Sequence, residues 1–62
     1  MKVRIQEIRE QRGMSRADLA REAGVTWAAV NKWESGKCFP SLMMAARIAN
    51  ALKCKIDDLI TN

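Results

Sequence analysis

Apolar residues recur three or four positions apart along most of this chain, which is the spacing of one face of an α-helix. In the first half each apolar stripe is brief, and a glycine follows it, as glycine often does at the end of a helix. The pattern predicts a first helix around Ile5 and Ile8 that stops at Gly13, a second that stops at Gly24, and a third over Trp27–Glu34.

Hydroxyl-bearing residues precede three of the predicted helices. Ser15 stands before the second helix with Asp18 at the third helical position, which is a weak form of the capping box. Thr26 and Ser41 precede the third and fourth helices in the same way. Because such side chains accept hydrogen bonds from the first free amides of a helix, they support these boundaries.

The second half of the chain predicts two more helices. The fourth keeps helical spacing for three turns, and its predicted inward residues are Leu42, Ala45, Ile48, Ala49 and Leu52. The last begins at about Ile56 and turns Leu59 and Ile60 inward. No segment alternates with the period of two typical of strands. We therefore expect an all-α fold of five short helices, forming a single domain over residues 1–62.

Length and composition narrow the function. Sixty-two residues provide one thin core, since a chain of this size buries only about 60% of its unfolded surface. Eleven basic side chains against seven acidic ones give a net charge of +4, which favours an acidic partner. The chain shows neither a signal-peptide pattern nor the apolar run of about 18 residues that a membrane span needs, so we expect a cytoplasmic protein with no membrane partner.

Candidate chemistry is sparse. The chain has two cysteines, Cys38 and Cys54, and no histidine, which is too few ligands for a structural zinc. We expect no metal and no cofactor; a disulfide stays geometrically open, although reduced thiols are favoured, and a redox role for either cysteine is undecided. With no histidine, phosphate-binding glycine motif or paired carboxylates to act as a general base, the chain is not expected to be an enzyme or to hold a small molecule.

The third helix carries the most informative surface. If Val30 and Trp33 face the core, the helical period places positions 27, 28, 31 and 32 on the solvent side. A tryptophan at such a place either folds over the preceding turn or contacts a flat or grooved partner. The residues on this face are Trp27, Ala28, Asn31 and Lys32.

Four short stretches now identify a family resemblance: Leu-Ala at 19–20, Gly-Val at 24–25, Trp-Glu-Ser-Gly at 33–36 and Ile-Ala-Asn-Ala-Leu at 48–52. With these stretches the chain resembles, over about residues 5–60, the helix-turn-helix domain of phage Cro and repressor proteins and of the xenobiotic-response-element family. The resemblance implies a compact phage-repressor-like bundle in which helices 2 and 3, about residues 16–35, form the helix-turn-helix. It also implies that the third helix lies in the major groove of DNA.

The resemblance assigns roles to individual residues. The base-facing positions would be Trp27, Ala28, Asn31 and Lys32, and the DNA backbone contacts would be Ser15, Arg16, Thr26, Ser35 and Lys37. Lysine can donate to guanine, asparagine can pair with adenine, and the alanine methyl can touch a thymine methyl. From the residues alone, the alternative interpretation of Arg16 and Lys37 is an ordinary solvated cation. Lys53 stands where a helix-ending glycine is common in the family, so we expect an irregular turn before the last helix. The family also implies a partly buried ion pair between Arg9 and Glu34.

The implied function is a sequence-specific regulator of transcription, bacterial or phage-encoded, that binds a palindromic double-stranded DNA operator as a homodimer and acts as a repressor. The predicted dimer surface comprises Phe39, Met43, Met44, Ile56 and Ile60. The two methionines equally suit the filling of gaps beside small alanines. An alternative function is a small protein-interaction module, an antitoxin or adaptor, that keeps the fold. A membrane-active peptide is disfavoured because charges of both signs are mixed within each helix.

Overall fold

The structure is a computed structural model that describes residues 2–61 and contains five α-helices in that range. Their bounds are α1 Ile5–Gln11, α2 Arg16–Ala23, α3 Trp27–Glu34, α4 Leu42–Leu52 and α5 Ile56–Leu59. The prediction of five short helices from apolar spacing is confirmed. The longest helix, α4, packs against both α2 and α5 and so lies at the base of the bundle.

The expectation of a chain without strands is wrong. Lys2–Val3 forms a short strand β1, which pairs antiparallel with β2, Ile60–Thr61, so that Val3 lies opposite Ile60. The amide of Arg4 extends the ladder by donating to the carbonyl of Leu59 at 2.7 Å. Ile60 is therefore a half-buried strand residue rather than part of the last helix. Strands of two residues are too short to show an alternating pattern, and packing of the helices brings them together.

One apolar core joins all five helices. Its largest fully buried side chains are Ile5, Leu19, Val30, Ile48, Leu52 and Leu59. The prediction that Leu42 faces inward is wrong, because 76% of its surface is exposed. Leu42 is the first residue of α4, and the first turn of this helix extends beyond the core that its later turns cover.

The predicted caps are formed. The hydroxyl of Ser15 accepts a hydrogen bond from the amide of Asp18 at 3.0 Å, and the Asp18 carboxylate accepts from the amide of Ser15 at 3.1 Å. Ser41 caps α4 through the amide of Met44. At the far end of α4, Lys53 adopts the left-handed conformation, with φ 56° and ψ 46°, as the missing glycine predicted.

The described residues also show whether the patterns of membrane helices, metal sites and disulfides are present. Within residues 2–61, no helix is long and apolar enough to cross a membrane. No group of three or more metal-ligating side chains lies together in that range. Cys38 is exposed and Cys54 half-buried, and both are free thiols; burial raises the pKa of Cys54, and nearby Asp58 adds to the effect.

Candidate nucleic-acid interface

A three-residue turn, 24–26, connects α2 to α3. Gly24 ends α2 in the left-handed conformation, at φ 70°, which glycine adopts without the strain that a side chain would cause. The amide of Val25 then donates to the carbonyl of Ala20, and the hydroxyl of Thr26 accepts from the amide of Ala29 at 3.1 Å. Each hydrogen bond fixes one end of the turn, so the angle between the two helices is set locally.

Core packing holds the inner sides of both helices. Leu19 of α2 and Val30 of α3 are fully buried, and Trp33 is nearly so. The guanidinium of Arg47, on α4, lies 3.4 Å from the carbonyl of Gly24. This contact connects α4 to the turn between α2 and α3. The pair α2–α3 is thus anchored along its whole length, with the opposite side of α3 turned outward.

The outward side of α3 carries the residues that the sequence singled out. Trp27 is 53% exposed, and Ala28 and Lys32 are exposed as well. Asn31 is only half-buried and lies at the margin of this face. The neighbours Val25 and Ala29 pack partly against the core. The structure therefore brings together three accessible side chains, two apolar and one cationic, at the start and middle of α3.

A charge network beneath this face joins three helices. The carboxylate of Glu34, at the end of α3, is only 2% exposed and accepts two hydrogen bonds from Arg9 of α1, at 2.8 and 3.1 Å. Arg9 also donates to the carbonyl of Met14 at 2.8 Å. Hydrogen bonding to Glu34 raises the pKa of Arg9. The ion pair that the resemblance implied is thus formed with the paired geometry that suits a guanidinium and a carboxylate.

The sequence did not reveal that Arg16 belongs to the same network. Its Nε donates to the Glu34 carboxylate at 2.9 Å, and its side chain is 37% exposed. Eighteen positions separate the two residues, so helical periodicity gives no signal of the contact. Because Nε makes this contact, the two terminal nitrogens of Arg16 can still donate hydrogen bonds to a second anion.

The other predicted backbone contacts differ in accessibility. The amide and hydroxyl of Ser15 are engaged by Asp18, whose carboxylate also accepts from Arg21 at 2.9 Å. Hydrogen bonds, first from the Ser15 backbone and then from its hydroxyl, lower the pKa of Asp18. After α3, the hydroxyl of Ser35 donates to the carbonyl of Lys32, while Lys37 is exposed. Lys37 is therefore an accessible cation just after α3, where its amide donates to the carbonyl of Lys32 at 3.1 Å.

The predicted dimer residues are only partly brought together. Phe39 and Met43 are 52% and 65% exposed, whereas Met44, Ile56 and Ile60 are half-buried against the core. Met43 and Ile56 line one shallow groove of about 480 Å³ along α4, together with Ala46, Arg47, Ala49, Asn50 and Cys54. The accessible apolar surface thus extends from the α3–α4 loop onto α4.

The sequence matches those of known helix-turn-helix proteins. A family model described as helix-turn-helix matches residues 5–59. An uncharacterised HTH-type transcriptional regulator of Archaeoglobus fulgidus is 39% identical over 59 residues, which cover 95% of this chain and 84% of that protein. YgzD of Bacillus subtilis, another such regulator, is 36% identical, with 95% and 89% covered. The HTH-type transcriptional activator BcrR of Enterococcus faecalis is 29% identical over 94% of this chain but only 28% of its own length.

Proposed function

The chain belongs to the helix-turn-helix family of DNA-binding transcriptional regulators, and from this premise we propose that it is a sequence-specific repressor that binds a palindromic operator as a dimer. The observation that carries the proposal is that Trp27, Ala28 and Lys32 are exposed on the outer face of α3. The inner side of the same helix packs against the core. An α-helix fits the major groove of B-DNA, where base pairs present distinct chemical patterns.

In the proposed complex the first two turns of α3 meet the base edges. The ammonium of Lys32 donates to guanine, and Trp27 and Ala28 contact the bases beside it. Asn31, at the margin of the face, contacts a base only if its side chain turns outward. These contacts select the sequence.

The proposed phosphate contacts flank α3. Lys37 and the terminal nitrogens of Arg16 supply positive charge, and the first amides of α2 and α3, near Ser15 and Thr26, face the backbone together with Ser35. Such contacts fix register and affinity without reading the sequence. The Glu34 network supports this arrangement, because it holds Arg16 at the start of α2.

Dimeric binding follows from the geometry of this family, in which two-fold related subunits read half-sites about 34 Å apart. The exposed Phe39 and Met43 supply an apolar surface for the second copy. We propose repression because occupation of an operator is by itself enough to block access to the DNA. BcrR is named an activator, so activation is the alternative, and a reporter transcript measured with and without the protein distinguishes the two.

The central test is selection of bound duplexes from a random pool, followed by fluorescence-anisotropy titration of the selected duplex against a scrambled one. We expect the selected duplex to bind more tightly by a factor of about 10³ or more at physiological salt. Lys32→Ala is expected to weaken binding to the selected duplex, since it removes the donor to guanine, and to relax the preference at one base pair.

Lys55→Ala is the matched control, because it removes the same charge at the start of α5, outside the helix-turn-helix. It is expected to bind like the wild type. Equal affinity of the wild type for the selected and scrambled duplexes contradicts the proposal.

A protein-interaction module is the second candidate, and the exposure of Phe39, Leu42 and Met43 favours it. Under this function the cellular activity depends on these apolar side chains and not on the outer face of α3. A Lys32→Ala, Lys37→Ala double variant therefore separates the two: a regulator loses DNA binding and regulation, whereas an antitoxin or adaptor keeps its activity.

A further inference from the structure

The outer face of α3 begins with two apolar side chains. Trp27 is the first residue of the helix and 53% exposed, and exposed Ala28 follows it. We infer that this end of α3 reads the 5-methyl groups of pyrimidines in the major groove. The preferred duplex then has a thymine, or equally a 5-methylcytosine, at the position beside Trp27. The inference rests on the proposed DNA-binding function and specifies its ligand.

Hydrogen-bonding groups are few at this end of the helix. The hydroxyl of Thr26 is engaged as the cap acceptor for the amide of Ala29, and Asn31 is half-buried. Lys32 is the charged donor on the face, one turn further along the helix. A single ammonium can specify one guanine and cannot distinguish the base pairs beside Trp27.

The C5-methyl group of thymine is the largest apolar target for Trp27 in the major groove. The base edges there otherwise present hydrogen-bond donors and acceptors, and cytosine offers only the smaller C5–H beside its amino group. A methylated cytosine places the same group at the same carbon. An indole face laid over bare acceptors removes them from water, and its one N–H can replace at most one of the lost hydrogen bonds, which costs free energy. When the indole contacts a methyl group instead, the apolar surfaces of both groups are removed from water, which favours binding.

The inference is tested by removing methyl groups and nothing else. Each thymine of the selected duplex is replaced in turn by deoxyuridine, which keeps the same base pairing, and affinity is measured by anisotropy. We expect at least one position at which uracil weakens binding, by about fourfold for each buried methyl group. At that position, a pair containing 5-methylcytosine is expected to bind about fourfold more tightly than one containing cytosine.

Variants then assign the effect to Trp27. Trp27→Ala is expected to abolish the difference between thymine and uracil, whereas Trp27→Phe, which keeps an apolar ring but lacks the indole N–H, retains it. Leu42→Ala is the matched control, because Leu42 is an exposed apolar side chain, 76%, that lies outside α3 and outside the proposed DNA and dimer contacts. It is expected to leave the ratio of the two affinities unchanged. Circular dichroism verifies that each variant keeps its helices.

The possible results separate this inference from the function on which it rests. Equal affinity for thymine and uracil at all positions, with the selected duplex still preferred over the scrambled one, overturns the inference and leaves the DNA-binding function in place. A thymine-to-uracil difference that persists in Trp27→Ala overturns the role of Trp27. Loss of any preferred duplex overturns the proposed function, and the inference with it.

Discussion

Among single residues, Glu34 connects three of the helices through its side chain. Its buried carboxylate accepts hydrogen bonds from Arg9 on α1 and Arg16 on α2, while Glu34 itself ends α3. Two arginines against one carboxylate leave a positive charge at the surface on the side of Arg16, which is the more exposed partner. The residue therefore both fixes the helix-turn-helix and holds a cation beside the proposed phosphate path.

Arg9→Met tests this role. The variant leaves a buried carboxylate with Arg16 as its remaining partner, and we expect a loss of about 2 to 4 kcal/mol in the free energy of unfolding. Urea denaturation followed by circular dichroism measures it. Arg21→Met is the control, since its ion pair with Asp18 lies at the surface, and it is expected to cost much less stability than Arg9→Met. Equal stability of the two variants contradicts the role given to Glu34.

At the scale of the helices, the end of α4 is where a side chain is held in a strained backbone conformation. Lys53 is the one residue other than glycine, within residues 2–61, that adopts a positive φ. The turn is nevertheless hydrogen-bonded, because the amide of Cys54 donates to the carbonyl of Ala49 at 2.9 Å. The side chain at position 53 is therefore strained in a turn whose geometry is otherwise favourable.

Lys53→Gly is expected to stabilise the protein. The strain relieved, about 1 to 2 kcal/mol, is partly offset by the greater freedom of glycine in the unfolded chain, which leaves a gain of about 0.5 to 1 kcal/mol. Thermal unfolding measures it. Lys55→Gly is the control, since Lys55 has an ordinary extended backbone, with φ −88°, and gains no such relief. A lower melting temperature for Lys53→Gly contradicts the prediction.

For the whole molecule, the distribution of charge decides how it meets DNA. A net charge of +4 on 62 residues is modest, and an overall attraction of this size does not select a sequence. Lys32 is exposed on the outer face of α3, and Lys37 is exposed just after the helix ends. Salt dependence therefore reports the number of phosphate contacts rather than the bulk charge.

Lys37→Ala is expected to reduce the slope of the logarithm of affinity against the logarithm of salt concentration by about 2 if two chains bind the operator, and by about 1 if one binds. Lys55→Ala, which removes the same charge from α5, is the control and should leave the slope unchanged. A change of about 1 contradicts the proposed dimer, and no change contradicts a phosphate contact by Lys37.

The sequence by itself determined what depends on neighbouring residues. The inward faces of the helices and their caps at Ser15, Thr26 and Ser41 follow from spacing within one or two turns. The separation of Trp27 on the outside of α3 from Trp33 on the inside follows from the same period of 3.6 residues.

Only the tertiary structure decided contacts between distant segments. Pairing of Val3 with Ile60, the contact of Arg16 with Glu34 and the exposure of Leu42 depend on where whole helices lie relative to one another. A local pattern cannot supply these distances, because each is set by the packing of the common core. The same packing holds α3 so that its outward residues form one accessible face.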